Sequence, residues 1–343
     1  MQGIKRLAKH LNVSIGTVSR ALNDKPDVSA KTRQRVLAAA ERLGYVANQS
    51  GRSLRQGTTN AVGFMIELNP ETAANSDNFF MSVFEGVKRS LTPRGLDLIV
   101  LPCSTDDHPA DYLRRIVGRR VVDGVILSAT QRRDERISML TEARVPFVAL
   151  GRSETPGNYP WIDLDFETYV DTSVDRLVSL GHKDIALAVP VTGINLRYVL
   201  VRRFRRAMAR HGLDVGPDRI FPIRSNEQGG YELADRMLAL SNAPTAVILS
   251  YELMAIGLYH RLDERGLEPG RDLGVIGLRE SPQSRSLSPR LTCFRMALPE
   301  LGLALGDALI ASMPAFSTGK PAPLRRLWPM ELIPGESDGR SAS

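Results

Sequence analysis

The chain has 343 residues and a net charge of +7, yet residues 1–58 alone carry 11 Lys and Arg against 3 Asp and Glu, or +8. Residues 59–343 hold 34 basic against 35 acidic residues, or −1, so the positive excess belongs to the N-terminal head. No apolar run approaches the roughly 20 residues of a membrane span, and no apolar core of an export signal is present. We therefore expect a cytoplasmic protein with no membrane partner.

The charge asymmetry indicates a polyanion partner for the head alone. Lys and Arg that bind phosphates release condensed counterions, so such binding is strong and depends on salt. The alternative is a basic surface that is simply solvated.

The first 45 residues have the pattern of three short helices. Apolar positions within Ile4–Leu11 recur at helical spacing on one face. Asn12 tolerates a left-handed backbone and suits a sharp turn, and Ser14 is a natural N-cap for a second helix. Ser29 is expected to cap a third. This arrangement predicts a helix-turn-helix motif, whose second helix enters the major groove of DNA.

A polar linker and a long body follow the head. The linker, residues 47–59, contains Gly and Ser and has one large apolar residue, Leu54, so it should be flexible in isolation. In the body, short apolar runs alternate with amphipathic helices at about 30 residues per unit, which predicts doubly wound parallel sheets. About 280 residues is too long for one such sheet and fits two lobes.

The predicted elements of the body are as follows. Buried strands are expected at 61–66, 96–101, 124–127, 147–150, 185–189, 246–249 and 274–277. Helices are expected at 83–91, 110–117, 137–143, 169–180, 201–211, 231–240, 254–265 and 298–312.

Three ordered segments of the head, 13–23, 28–36 and 43–48, together resemble the N-terminal signature of the LacI/GalR transcriptional regulators. Further matches lie in the body at 78–80, 121–126 and 180–186. The resemblance implies an α/β fold in which a three-helix helix-turn-helix head precedes a two-lobe, periplasmic-binding-protein-like body.

The resemblance also implies the domain organisation. A DNA-binding domain is expected at 1–46, a hinge at 47–59, and a two-lobe effector-binding and dimerisation domain at 60–335. Lobe 1 is expected at about 60–160 plus 290–320, and lobe 2 at about 161–289 plus 321–335.

The resemblance assigns contacts with DNA to residues of the head and hinge. Ile15 offers a base only apolar contact, best met by a thymine methyl, and Gly16 offers nothing. Arg20 either forks onto guanine or contacts a phosphate. Leu54 either wedges into the minor groove or anchors the linker on the body. The full set of expected DNA-binding residues is Lys5, Ser14, Ile15, Gly16, Thr17, Ser19, Arg20, Asn23, Ser29, Asn48 and Leu54.

A small effector is expected between the lobes. Sugar-binding members of the family usually carry Asp where this chain has Arg279. Two guanidiniums, Arg152 and Arg279, suit a carboxylate or phosphate, so we expect a sugar or sugar derivative, with an anionic form favoured. Alternatively, Arg279 pairs with Glu280 or another surface acid. The full set of expected effector-binding residues is Phe79, Phe80, Ser128, Arg152, Arg197, Tyr198, Tyr251 and Arg279.

Phe79 and Phe80 either stack on a sugar face or belong to the core. Cys103 and Cys293 are typical of buried thiols rather than of a disulfide or metal pair. The five His residues lack metal-binding spacing, and neither a phosphate loop nor a nucleophile elbow is present. We therefore expect no metal, no cofactor and no enzymatic activity.

The sequence predicts a homodimeric, effector-controlled transcriptional regulator that binds a pseudo-palindromic operator in double-stranded DNA. Most relatives repress and some activate, so a repressor is the first expectation. Tetramers of the family carry a C-terminal heptad segment, whereas residues 334–343 of this chain are polar, so the resemblance implies a dimer rather than a tetramer. The alternative is a solute-binding protein or sugar-modifying enzyme with a basic head, which should show an export signal or clustered catalytic residues.

Overall fold

The computed structural model describes residues 3–22, 25–43, 45, 58–68, 77–317 and 323–339. The chain divides into two compact units, residues 1–59 and residues 60–343. Within the described part, no helix is both long enough and apolar enough to cross a lipid bilayer.

The first unit contains three helices, α1 (Ile4–Leu11), α2 (Ile15–Leu22) and α3 (Ala30–Arg42). The turn after α1 is made by Asn12, whose φ of 53° and ψ of 45° are left-handed, as predicted. The predicted cap at Ser29 is confirmed by its side chain, which accepts a hydrogen bond from the Thr32 N–H. The core of this unit consists of small and aliphatic residues, namely Leu7, Ala8, Val18, Ala21, Val28, Val36, Ala39 and Ala40.

The second unit contains two parallel sheets. The strands of the first sheet are β1 (Ala61–Leu68), β2 (Asp97–Ser104), β3 (Gly124–Leu127), β4 (Phe147–Leu150), β5 (Trp161–Leu164) and β11 (Arg325–Trp328). Their order is β11-β5-β4-β3-β1-β2. The strands of the second sheet are β6 (Ile185–Pro190), β7 (Ile220–Ile223), β8 (Ala246–Ile248) and β9 (Gly274–Ile276), in the order β7-β6-β8-β9.

A short antiparallel pair, β10 (Cys293–Arg295) with β12 (Glu331–Ile333), lies beside the second sheet. A parallel β-bridge between Ile276, at the end of β9, and Thr292 joins this pair to the second sheet. Cys103 and Cys293 are both free and buried, as expected.

Helices cover the faces of both sheets. They are α4 (Asp77–Leu91), α5 (Pro109–Gly118), α6 (Glu135–Glu142), α7 (Phe166–Ser179), α8 (Asn195–Arg210), α9 (Glu227–Leu238), α10 (Met254–Glu264), α11 (Pro282–Arg285) and α12 (Leu298–Ser312). Single 3₁₀ turns occur at Thr92–Arg94 and Pro217–Arg219. Helix α12 packs closely on α4, since a Cβ placed on Gly86 would lie 1.8 Å from the carbonyl oxygen of Pro299.

Three strands belong to a different lobe from the one expected for their residues. Strands β5 and β11 belong to the first sheet, although both were expected in lobe 2, whereas β10 adjoins the second sheet and was expected in lobe 1. These three strands have only three or four residues, and β11 begins with two exposed Arg residues. Such short or polar segments lack the apolar run that predicts a buried strand.

Candidate DNA-binding surface and effector cavity

Helix α2 presents an exposed face in the head. Ile15 is 44% exposed, and Gly16 and Arg20 are exposed one turn apart on the same helix. Arg20 Nη1 lies 3.4 Å from Asp27 Oδ2, with both side chains more than half exposed. Because an exposed ion pair of this kind contributes little stability, a phosphate or base edge can replace Asp27 as the partner of Arg20.

Two predicted DNA contacts, Ser14 and Ser29, also cap helices. The Ser14 hydroxyl accepts a hydrogen bond from the Thr17 N–H at 3.0 Å and lies 2.9 Å from the Thr17 hydroxyl. Ser29 caps α3, and Lys5 is exposed on α1. Ser19 is half-buried on α2. Three further expected contacts lie outside the described residues, namely Asn23, Asn48 and Leu54.

A cavity of about 310 Å³ lies between the two lobes of the second unit. Its walls come from the carboxyl ends of strands in both sheets, including Glu67, Leu150 and Pro190. In open α/β sheets this edge is where ligands bind, because the loops that follow the strands converge there. The location therefore agrees with the expected effector site.

Six of the eight expected effector residues line this cavity, namely Phe79, Phe80, Ser128, Arg152, Tyr251 and Arg279. Arg197 and Tyr198 do not. The Arg197 guanidinium donates to the carbonyl of Val191 at 3.4 Å, and the exposed Tyr198 ring lies 4.7 Å from the guanidinium carbon of Arg132. Both residues lie in the first turn of α8.

Arg152 is held by two acidic residues. Its Nε donates to Asp163 Oδ2 at 2.7 Å, and its two terminal nitrogens donate to the two carboxylate oxygens of Glu167 at 3.0 and 2.8 Å. Burial disfavours the charged guanidinium, but its hydrogen bonds to Glu167 and the charge of Asp163 outweigh burial and raise the pKa of Arg152. Burial also raises the pKa of Asp163 despite its guanidinium partner.

Arg279 is paired as well. Its Nη2 donates to Glu252 Oε1, and the two side chains are 9% and 4% exposed. The ring of Phe79 covers the guanidinium at 5.6 Å from its centroid. Arg152 and Arg279 line one cavity, as expected, and each already bonds a carboxylate. The partner of Arg279 is the buried Glu252 rather than Glu280.

A buried ion cluster supports the cavity wall and was not predicted. Arg136, 2% exposed, donates to Asp134 at 2.7 and 2.9 Å and to Glu67 Oε1 at 2.8 Å. It also donates to the carbonyls of Ser128 and Ala129, both at 3.1 Å. Burial raises the pKa of Glu67 even though Arg136 is adjacent. The cluster fixes the loop after β3, including Ala129 with its φ of 50°.

The two lobes touch at one side of the cavity. The Asn195 side chain donates to the carbonyl of Arg152 at 2.8 Å, and its backbone N–H donates to the carbonyl of Thr130 at 2.9 Å. An antiparallel bridge joins Gln131 to Ile194. The first turn of α8 in lobe 2 is therefore bonded to the loops after β3 and β4 in lobe 1.

Sequence reasoning missed several polar residues of the cavity, among them Glu67, Asp163, Asn195 and Glu252. Glu67 directly follows the predicted strand 61–66, so its place at a carboxyl edge was a usable signal. Asp163 lies in β5, which the sequence did not predict. Arg136 had no such signal, because a charged residue within an amphipathic helix is normally expected at the surface.

Comparison with known proteins identifies the family. The family model described as bacterial regulatory proteins, lacI family, matches residues 3–48, and a periplasmic-binding-protein-like domain matches residues 174–337. The HTH-type transcriptional regulator AglR of Rhizobium meliloti (strain 1021) is 30% identical, over 98% of this chain and 94% of AglR. The chain belongs to the LacI family. This LacI-family protein is therefore a DNA-binding transcriptional regulator.

Solved structures have the same fold as this LacI-family regulator. The transcriptional regulator CelR–cellobiose complex superposes with a TM-score of 0.74 at 23% identity, over 98% of this chain and 100% of that one. The lac repressor dimer bound to operator and the anti-inducer ONPF superposes with a TM-score of 0.83 at 23% identity, over 97% and 98% of the two chains.

Proposed function

We propose that this regulator is a cytoplasmic, homodimeric repressor whose affinity for a pseudo-palindromic operator is set by a saccharide in the interlobe cavity. The observation that carries the proposal is the cavity itself, which takes walls from both lobes at the carboxyl ends of both sheets. A ligand that contacts both lobes favours one arrangement of the lobes over another, and only such a difference in affinity can shift the equilibrium.

The chemistry of the lining supports a saccharide. Phe79, Phe80 and Phe166 supply aromatic surface for the apolar face of a sugar ring. Carboxylates, guanidiniums and the Asn195 amide supply acceptors and donors for hydroxyls. CelR, which has the same fold, is described in complex with cellobiose, and this supports the same ligand class here.

An exposed apolar strip on lobe 1 supports the homodimer. Strand β2 is at the edge of the first sheet, and its Ile99 and Val100 are 36% and 38% exposed. Met81 on the neighbouring α4 is 59% exposed. An exposed apolar edge strand is a hazard unless a partner covers it. We propose that a second copy covers this β2 edge, because a symmetric dimer buries the same patch on both subunits.

The proposal is tested by a gel-shift titration of the full chain with DNA from upstream of its own coding sequence. The titration is run alone and with neutral and acidic saccharides at millimolar concentration. The expected result is a specific complex whose affinity changes with one saccharide or a small set. A complex that responds to none of them would overturn the effector part of the proposal. Failure to form any specific complex would overturn the operator part.

A second candidate, a saccharide-modifying enzyme, is tested in the same samples. Each saccharide that alters DNA binding is incubated with the protein and recovered for mass spectrometry. We expect the saccharide to be unchanged, since relatives such as AglR are named as transcriptional regulators. A modified product in stoichiometric excess over protein would instead establish an enzyme.

A further inference from the structure

The charged residues that line the cavity do not add up to an anion site. Among the described lining residues, three carry carboxylates, Glu67, Asp163 and Glu252, and two carry guanidiniums, Arg152 and Arg279. The formal charge of the lining is therefore −1. Both guanidiniums are bonded to carboxylates, so neither offers an uncompensated positive charge to a ligand.

The Glu252–Arg279 ion pair is more deeply buried than the ion pairs of Arg152. Its side chains are nearly solvent-free, whereas Arg152 is 20% exposed. Glu252 and Arg279 belong to lobe 2, and the Phe79 ring that covers the guanidinium belongs to lobe 1. The pair therefore lies at the junction of the two lobes, and its low exposure shows that little bulk water reaches it.

An anionic ligand would meet an electrostatic penalty at this junction. To bond Arg279 it must either approach the Glu252 carboxylate or displace it. Like charges repel strongly where water is scarce, and a displaced Glu252 would remain as a buried carboxylate without its counter-charge. Both routes weaken the binding of a carboxylate or phosphate.

A neutral hydroxyl meets no such penalty. A carboxylate that bonds one guanidinium N–H retains lone pairs that accept hydrogen bonds from hydroxyl groups. A guanidinium has five N–H donors, so Arg279 can bond Glu252 and a hydroxyl oxygen together. The intact pair thus offers donors and acceptors without net charge.

We infer that the Glu252–Arg279 pair makes the cavity select neutral saccharides over saccharides that carry a carboxylate or phosphate. The inference rests on the proposed function, because it specifies the ligand of the same cavity. The two Arg residues alone would indicate a preference for anionic ligands, and the inference reverses that preference. Sequence spacing did not indicate the pairing, because Glu252 lies 27 positions before Arg279 in the chain.

The test compares matched probes by isothermal calorimetry with the full chain. Neutral monosaccharides and disaccharides are each paired with their uronic-acid and 6-phosphate counterparts. For the wild-type chain, we expect at least one neutral probe to bind about tenfold or more tightly than its acidic counterparts. An acidic counterpart that binds as tightly as the neutral probe would overturn the inference and leave the proposed function standing. No binding by any probe would overturn both.

The variant Glu252→Gln keeps the shape of the side chain and removes its charge. Arg279 then lacks its counter-charge, so the affinity ratio should move toward the acidic probes by about tenfold. The matched control is Glu280→Gln. Glu280 is next to Arg279 in sequence, but it lies outside the cavity lining and pairs with the half-exposed Arg295. We expect the control to keep the wild-type ratio. An unchanged ratio in folded Glu252→Gln would overturn the inference. If Glu252→Gln fails to fold, the ratio of neutral to acidic affinities of the wild-type chain still tests the inference.

Discussion

Arg20 lies on the exposed face of helix α2, and its local contacts leave it available to a partner. Its partner Asp27 is exposed, so their pair is weak and a guanine edge or a phosphate can replace it. A bidentate contact with guanine would give Arg20 a direct part in sequence recognition, whereas a phosphate contact would fix only register.

Replacing Arg20 with Ala should weaken operator binding by about 1–3 kcal/mol and relax base preference at one position in each half-site. The measurement is fluorescence anisotropy with the operator and a set of its single-base variants. Arg271→Ala, which changes an exposed Arg of lobe 2, is the control and should leave operator affinity unchanged. A uniform loss across all sequences, with a shallower salt dependence, would assign Arg20 to a phosphate instead.

Arg136 is expected to stabilise the fold through the cavity wall. Its replacement by Met leaves the buried Asp134 and the half-buried Glu67 without a guanidinium, which should cost about 3–5 kcal/mol of unfolding free energy. Urea denaturation measures the loss. Arg132→Met, at a half-exposed pair with Glu154, should cost no more than about 1 kcal/mol. Equal losses in the two variants would contradict the role given to Arg136.

Among the elements, the crossing of α4 and α12 depends on small residues. A Cβ on Gly86 would collide with the backbone of α12, whereas a Cβ on Gly118, at the end of α5, would meet nothing within 4 Å. Gly86→Ala should therefore destabilise the protein by about 1–3 kcal/mol or more, as measured by the thermal or urea midpoint. Gly118→Ala should be neutral or stabilising by up to about 1 kcal/mol. A Gly86→Ala variant with unchanged unfolding free energy would mean that α12 can shift without loss of stability.

The elements also differ in how far the sequence specifies them. The second and third head helices follow from periodicity and from the caps at Ser14 and Ser29, whose contacts are local. Strand β7 (Ile220–Ile223) has four residues and contains Pro222, and β11 begins with charged residues, so neither has a local strand signal. Their pairing is decided by neighbouring strands that lie far away in sequence.

The sequence also specifies only part of the candidate site. Family resemblance located Arg279, and the end of the predicted strand 147–150 located Arg152, but their carboxylate partners could not be assigned from spacing. Arg279 meets Glu252 because both follow adjacent strands, β8 and β9, of the second sheet. Only the assembled sheet brings those two loops together, and the charge balance of the cavity depends on that assembly.

For the whole molecule, the proposed dimer requires the β2 edge of lobe 1. Val100→Lys places a charge in this edge and should shift the monomer–dimer equilibrium toward monomer, as measured by sedimentation velocity over a concentration series. The matched control is Leu327→Lys, at a residue of similar exposure in β11, the opposite edge strand of the same sheet. A dimer that is lost in the control but retained in Val100→Lys would place the interface elsewhere.

Coupling between the cavity and the operator is the central claim, and linkage tests it most directly. If a saccharide changes operator affinity by some factor, the operator must change saccharide affinity by the same factor. The measurement is the calorimetric affinity of the full chain for the most active saccharide, with and without saturating operator duplex. We predict a change that equals the factor obtained from the DNA titration, typically about 5–150-fold for allosteric coupling. An identical saccharide affinity with and without operator would contradict the account.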